Sequence, residues 1–445
     1  MLEQTTSVEK SNDVERVLAD FVNVRNFSEK LCEPLKPEDY NLQAIAETSP
    51  AKWHLAHTSW FFETFILKKF QSNYSCFDPQ YEYLFNSYYN SIGEQYPRPN
   101  RGLLSKPDVE EIYRYRQFVT EKIQQLLNQL ADVNSDSLIE VISLIRLGIN
   151  HEQQHQELLL TDIKYNLFQN PIFPAYRDSS EPVVHSLPED KSLPPVEWIA
   201  FDEQLVSIGD NQTDSPISQS GFVYDNETPK HKFYRQSFLV ANRLTTNGEY
   251  LKFIEQGGYS DPQYWLSDGW DAVRNQKWQA PLYWYQQDGN WYIYTLNGVQ
   301  SLQLDQPVTH VSYYEADAFA RWSGARLLTE QEWESIATGK SLAKGFGNFV
   351  EDDVLHPVVA KESDKLKQMF GDVWEWTSSA YSAYPGFKPA AGAVGEYNGK
   401  FMCNQYVLRG GSCVTSRSHI RKTYRNFFYP DARWQFSGIR LARDS

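Results

Sequence analysis

The chain has 445 residues, a formal net charge of −15, 41% hydrophobic, 22% charged and 15% aromatic residues, with 13 Trp and 28 Tyr. These proportions suit a soluble globular protein of two or three domains with ample core, and the acidic balance argues against nucleic acid or an anionic membrane as a partner. Four cysteines make no disulfide framework, the polar N-terminus shows no signal peptide, and no apolar run reaches spanning length, so a cytoplasmic enzyme with no nucleic-acid and no membrane partner is expected. Formation of a homo-oligomer is left open.

In chain order, Val14, Val17, Leu18, Phe21, Val24, Phe27 and Leu31 recur at helical spacing and predict a helix with Ser11 as its N-cap. Ser49-Pro50 predicts the start of a second helix, serine capping and proline in the first turn, with Trp53, His57, Trp60 and Thr64 on one stripe. From Gln71 to Lys106 the chain is aromatic and turn-rich, which predicts a long functional loop without secondary structure of its own. A third helix follows Pro107 and buries Ile112, Tyr115, Val119, Ile123, Leu126 and Leu130. A fourth spans about Asp136 to Phe168, with Leu144, Gly148, His151, His155 and Leu159 near one side. Together these predict a four-helix bundle over residues 1–170. Six prolines then predict a linker over 171–195, and residues 196–445 read as an irregular α+β domain. Its clearest elements are strands at Phe238–Val240 and Trp291–Tyr294, a helix over Tyr313–Trp322, and a capping box formed by Thr329 and Glu332.

His151 and His155 stand four residues apart, so one helix face presents two imidazoles to one metal ion. Taken alone, His151-Glu152-x-x-His155 also matches the zinc-protease motif, with Glu152 as general base. For a third ligand His57 is the choice, because it shares the stripe of Trp53 and Trp60, whereas His54 is rotated off it by about 60° and reads as structural. Glu157 faces another side of its helix. Three neutral imidazoles leave open positions and suit iron or zinc. Arg98 and Arg101 would suit a carboxylate substrate by bidentate pairing, or be ordinary surface arginines. Tyr88 and Tyr89 are either core rings or proton donors beside the metal. The aromatic cluster from Arg425 to Gln435 is either core or a cage for a quaternary ammonium group.

Further resemblance comes from four C-terminal motifs: Arg326-Leu-Leu-Thr-Glu-Gln-Glu-Trp-Glu334, Gly371-Asp-Val-Trp-Glu-Trp-Thr377, Arg409-Gly-Gly-Ser412 and Gly438-Ile-Arg-Leu-Ala442. They resemble the formylglycine-generating-enzyme (sulfatase-modifying factor) domain, a C-type-lectin-like fold. The bundle, with Trp53-His-Leu-Ala-His57 and His151-Glu-Gln-Gln-His155, resembles the DinB type. In this order the two resemble the ergothioneine-biosynthesis sulfoxide synthases, over nearly the whole chain. The resemblance implies a non-haem Fe(II) enzyme that uses O2 to join the cysteine thiol to the imidazole of hercynine (Nα-trimethylhistidine), giving hercynylcysteine sulfoxide. It puts the iron ligands at His57, His151 and His155. It also implies that Gln154 contacts the substrate imidazole, that Asn426 and Phe427 border the trimethylammonium group, and that Arg98 and Arg101 hold the thiol substrate.

The branch using γ-glutamylcysteine has an acidic residue and an arginine where this chain has Phe428 and Ala432, so free cysteine is the expected donor. That branch's catalytic tyrosine aligns with Val394, three residues before Tyr397, which leaves Tyr88 or Tyr89 for the role. The alternatives are a selenoneine synthase using a selenium donor, an ovothiol-type synthase joining cysteine to histidine itself, and a lectin-like ligand-binding module with a structural metal.

Overall fold

A computed structural model describes residues 2–133, 137–177, 195–211, 222–337, 347–361, 365–396 and 398–445. Two compact units divide the chain: Met1–Gln169 with Thr213–Phe222 and Ala390–Tyr397, and Asn170–Gln212 with Val223–Pro389 and Asn398–Ser445. Of the predicted linker, residues 178–194 lie outside the described residues, and Tyr176 already bonds through its backbone N–H to Leu296 in the second unit. Among the described residues no helix is long and apolar enough to cross a membrane.

Helices α1 (Leu2–Lys30), α2 (Ala51–Phe62), α3 (Val109–Val133) and α4 (Ser137–Phe168) pack as a bundle in the first unit. Two expected caps fall elsewhere. Ser11 lies inside α1, which begins nearer the N-terminus. Ser49 lies outside α2, where Pro50 is the extended N-cap residue, and its hydroxyl accepts from Arg101 instead of capping. All twelve residues of α2 are buried, so this helix is the bundle's inner element rather than a two-faced surface helix. After Phe62 it continues through a π-helical turn, Glu63–Leu67, whose first carboxylate accepts from the hydroxyls of Tyr74 and Tyr115 and from the Phe77 N–H.

The stretch expected to lack secondary structure holds a short helix, Tyr81–Phe85, and a 3-10 helix, Arg98–Leu103. Elements of five or six residues show no more than two turns of periodicity; here Tyr81 lies edge-on to Tyr115 and its hydroxyl donates to Glu111, while Arg98–Leu103 is tied by hydrogen bonds to Gln43 and Asn41.

A glycine sets the approach of α2 and α4. A Cβ at Gly148 of α4 would lie 2.4 Å from Cε1 of Phe62 on α2, a ring that is itself buried. Gly148→Ala should therefore destabilise the bundle by about 1–3 kcal/mol through overpacking. The checking measurement is the denaturant midpoint of the helical circular dichroism signal; an unchanged midpoint would mean that Phe62 yields without cost.

In the second unit one four-stranded sheet runs in the order Trp198–Phe201, Phe238–Ala241, Leu441–Asp444, Arg326–Leu327, all antiparallel. The other runs Asn426–Phe428, Tyr406–Arg409, Trp374–Ala380, Ser437–Gly438, with the last pair parallel. The predicted helix Tyr313–Trp322 and the capping box of Thr329 with Glu332 are both present. The C-terminal motif residues form a buried ionic frame. Arg440 meets both oxygens of Glu375, Arg409 and Arg425 converge on Glu330, and Arg326 forks onto Glu332. Gly371, at φ +79°, has no room for a Cβ, which would sit 2.3 Å from the Asn348 carbonyl oxygen.

Candidate metal centre

His57 rises from the middle of α2, while His151 and His155 come from successive turns of α4. Each offers one ring nitrogen, and the three atoms lie within 4.8 Å of one another. The ring centroids are 5.0 Å apart for His57 and His151, 4.7 Å for His57 and His155, and 4.6 Å for His151 and His155. No other such group of His, Cys, Asp or Glu occurs among the described residues.

The surroundings keep all three rings neutral. Burial, then the neighbouring His151, holds His57 well below the usual histidine range; burial takes His151 down to about 3; burial, then His151 and His57, lowers His155. Neutral imidazoles keep the lone pairs a metal needs. The donor set also fits in detail. His57 Nδ1 donates to the Phe85 carbonyl at 2.6 Å, while its buried Nε2 has no hydrogen-bond partner. An orphaned buried nitrogen beside two further imidazoles is costly unless an ion takes its lone pair.

Aromatic rings wall the centre. His57 lies nearly parallel to Trp53 at 4.6 Å and to Trp60 at 5.4 Å, and Phe61 packs on His151 at 4.5 Å. Tyr89 continues the wall at 5.6 Å from Trp60, and half-buried Tyr88 stacks on Tyr89 at 4.7 Å. Tyr89 thus lies one ring beyond Trp60 from His57, and Tyr88 one ring further.

Of the two candidate arginines, Arg98 is exposed and donates to the Glu47 carbonyl. Arg101 is 4% exposed, and its guanidinium carbon sits 3.4 Å from the Trp53 ring centroid. Its Nη1 donates to Ser49 at 3.0 Å and its Nε has no partner, while no carboxylate lies within ion-pair distance among the described residues. Burial, then neighbouring Arg98, lowers its pKa well below the usual range. A buried cation without a counterion, one ring away from His57, is suited to an anionic ligand. It lines a small pocket with Lys52, Trp53, Phe85 and Leu104. Gln154 is half-buried on α4 beside His155. In the second unit, Phe427 stacks on Tyr381 at 4.0 Å beside Phe401, and Asn426 bonds the Phe427 N–H.

Glu152 has no place for protease chemistry. It is fully buried and accepts from Arg25 at 3.1 Å, from Arg116 at 2.7 Å and from Ser28 at 2.7 Å. Burial alone would raise its pKa, yet Arg116 and Arg25 hold it down to about 2, far too acidic for a base at neutral pH. Reading the sequence also left out Asp162, which accepts from His54 at 3.1 Å. The signal was present: Asp162 follows His155 by seven residues, two helical turns on the same face.

The Sulfatase-modifying factor enzyme 1-like domain matches residues 201–445, and the DinB superfamily matches residues 20–159. The chain is 30% identical over 417 residues to the hercynine oxygenase of Mycobacterium tuberculosis, covering 89% of this chain and 91% of that protein. It is 29% identical to the hercynine oxygenase of Mycolicibacterium thermoresistibile, covering 89% and 87%. Ergothioneine biosynthesis protein 1 of Schizosaccharomyces pombe is 29% identical over 258 residues, 54% of this chain and 31% of that protein. With a helical DinB-type bundle, a β-rich sulfatase-modifying-factor domain and kinship over nine-tenths of a named oxygenase, the chain belongs to the hercynine oxygenase family and is an oxidoreductase.

Proposed function

We propose that the protein couples cysteine to the imidazole of hercynine with O2, giving hercynylcysteine sulfoxide at an Fe(II) ion held by His57, His151 and His155, as a step of ergothioneine biosynthesis. The observation that carries this reading is the convergence of three neutral imidazoles, His57 and His151 buried and His155 half-buried, with the His57 Nε2 lone pair unpartnered. Bound Fe(II) supplies open coordination positions and the means of reducing O2.

The electron count suits one O2 per turnover. Forming the C–S bond from S–H and C–H releases two electrons, and oxygenating the sulfur takes two more, so the second oxygen atom leaves as water. The role we give the chain is to hold the organic substrates and move protons. Arg101 binds the carboxylate of cysteine through its unpartnered Nε edge, with Arg98 guiding it from the exposed side. Gln154 orients the hercynine imidazole. Asn426 and Phe427 border the trimethylammonium group, for which the Phe427–Tyr381 stack supplies an aromatic face. Tyr88 and Tyr89 carry the phenol that delivers a proton or hydrogen atom, and the aromatic wall excludes water.

The test is O2 consumption and product mass after loading with Fe(II) and adding hercynine with cysteine, γ-glutamylcysteine or a selenium donor. Uptake and a sulfoxide product are expected with cysteine; no uptake with any donor would sink the reading, and preference for γ-glutamylcysteine would overturn the inference from Phe428 and Ala432. Arg101→Ala should raise KM for cysteine about 10–100-fold, the size of a lost charge-assisted pair, with a smaller change in KM for hercynine. Equal changes in both would deny Arg101 its selective role.

A further inference from the structure

We propose that His54 and Asp162 are positioning residues that lock His155 as its Nδ1–H tautomer and leave Nε2 as the metal-binding atom. The inference rests on the three-histidine reading above and assigns a task to two buried residues outside it.

With His54 neutral, its partners set the direction of each bond. His54 Nδ1 stands 2.9 Å from His155 Nδ1, and His54 Nε2 stands 3.1 Å from Asp162 Oδ2. A carboxylate only accepts, so the proton of His54 sits on Nε2 and its Nδ1 is a lone pair. The proton between the two rings then belongs to His155 Nδ1. A neutral imidazole has a single N–H, and so His155 keeps its other lone pair at Nε2. Asp162 is itself oriented, since the same Oδ2 accepts the Ser49 N–H at 2.8 Å.

The two ring ligands with assignable partners are thus fixed by different means: His57 by the carbonyl of Phe85, and His155 by an imidazole and a carboxylate. His54 and Asp162 are each 3% exposed, so water does not compete for the bond between them. His54 belongs to α2 and Asp162 to α4, so the relay also ties together the two helices that carry the ligands. Its far end reaches the anion subsite, because the Ser49 hydroxyl accepts from Arg101.

Partners of this kind are worth about 10–100-fold in metal affinity. The experiment titrates metal-stripped full-length protein with Co(II), following d–d absorption, and measures Fe(II) affinity by chelator competition. His54→Leu should weaken both affinities about 10–100-fold and shift the Co(II) bands. His54→Asn, whose amide oxygen replaces the accepting Nδ1, should recover most of the affinity. Wild-type affinity and an unchanged spectrum in His54→Leu would overturn the proposal. Should His54→Leu fail to fold by circular dichroism, Asp162→Leu, which removes the acceptor that holds the His54 proton on Nε2, decides: about tenfold weaker binding supports the relay, and wild-type binding overturns it. His57→Ala separates the two levels of inference. Co(II) binding that does not depend on His57 defeats the site itself, whereas His57-dependent binding indifferent to His54 and Asp162 defeats the relay alone.

Discussion

Metal-stripped His57→Ala protein is expected to take up no stoichiometric Fe(II) and to lose all detectable O2 consumption, while His54→Ala still binds one equivalent at raised metal concentration. The asymmetry follows from position. His57 is the α2 member of the trio, and without it two imidazoles remain on one face of α4, a chelate with no partner across the bundle. His54 instead touches His155 and Asp162 with both ring nitrogens and has none to spare for an ion. Equilibrium dialysis with metal analysis checks the expectation, alongside circular dichroism to verify the helices. Binding kept in His57→Ala and lost in His54→Ala would move the ligand from one histidine to the other.

The second large effect concerns stability. Glu152→Ala should cost about 3–5 kcal/mol, because it leaves Arg25 and Arg116 as buried cations stripped of their shared carboxylate. Each is about 1% exposed or less, and together they join α1 and α3 to α4. The pH dependence has a definite sign. Folding lowers the Glu152 pKa from its ordinary 4.5 to about 2, so the stabilisation is complete above pH 4.5 and is lost as pH falls through about 2. Denaturant melts of the bundle from pH 7 down to pH 2 should show this loss in wild type and not in Glu152→Gln, whose residual activity would further separate a structural carboxylate from a catalytic base. A Glu152→Ala protein with wild-type stability would show that the two arginines find other partners.

The sequence was a good guide wherever periodicity ran for several turns. The bounds of α4, the burial of Ile112, Tyr115 and Val119, and the capping box at Thr329 all followed from spacing and side-chain chemistry. The pairing of His57 with the two α4 histidines was legible because Trp53, His57 and Trp60 share a stripe, and a fully buried α2 places that stripe beside α4. Other features escaped because they depend on contacts far apart in the chain. His54 read as merely structural until Asp162, 108 positions later, came within hydrogen-bond distance. Arg25 and Arg116 sit at helical core positions that a hydrophobic pattern marks as interruptions. The short helices between Gln71 and Lys106 are held by ring packing at Tyr81–Phe85 and by hydrogen bonds to Gln43 and Asn41 at Arg98–Leu103, not by repeat. Among the C-terminal motifs, Arg326, Glu330, Glu375, Arg409 and Arg440 mark the family by the ion pairs that brace its domain, which is why they identified a fold without identifying a chemistry.

A helix with no face toward water has a consequence for how this protein comes into being. Helix α2 cannot stand until α1, α3 and α4 enclose it, and His151 is translated 94 residues after His57. While the ribosome makes that interval, Trp53, Trp60, Phe61 and Phe62 have no final place to go, and a nascent chain in this state is open to aggregation and to chaperones. The three histidines meet only at the end of a long-range closure, so an ion held by them is expected to enter a finished cage instead of nucleating one. This sets the protein apart from small zinc modules, whose metal is the core on which they fold.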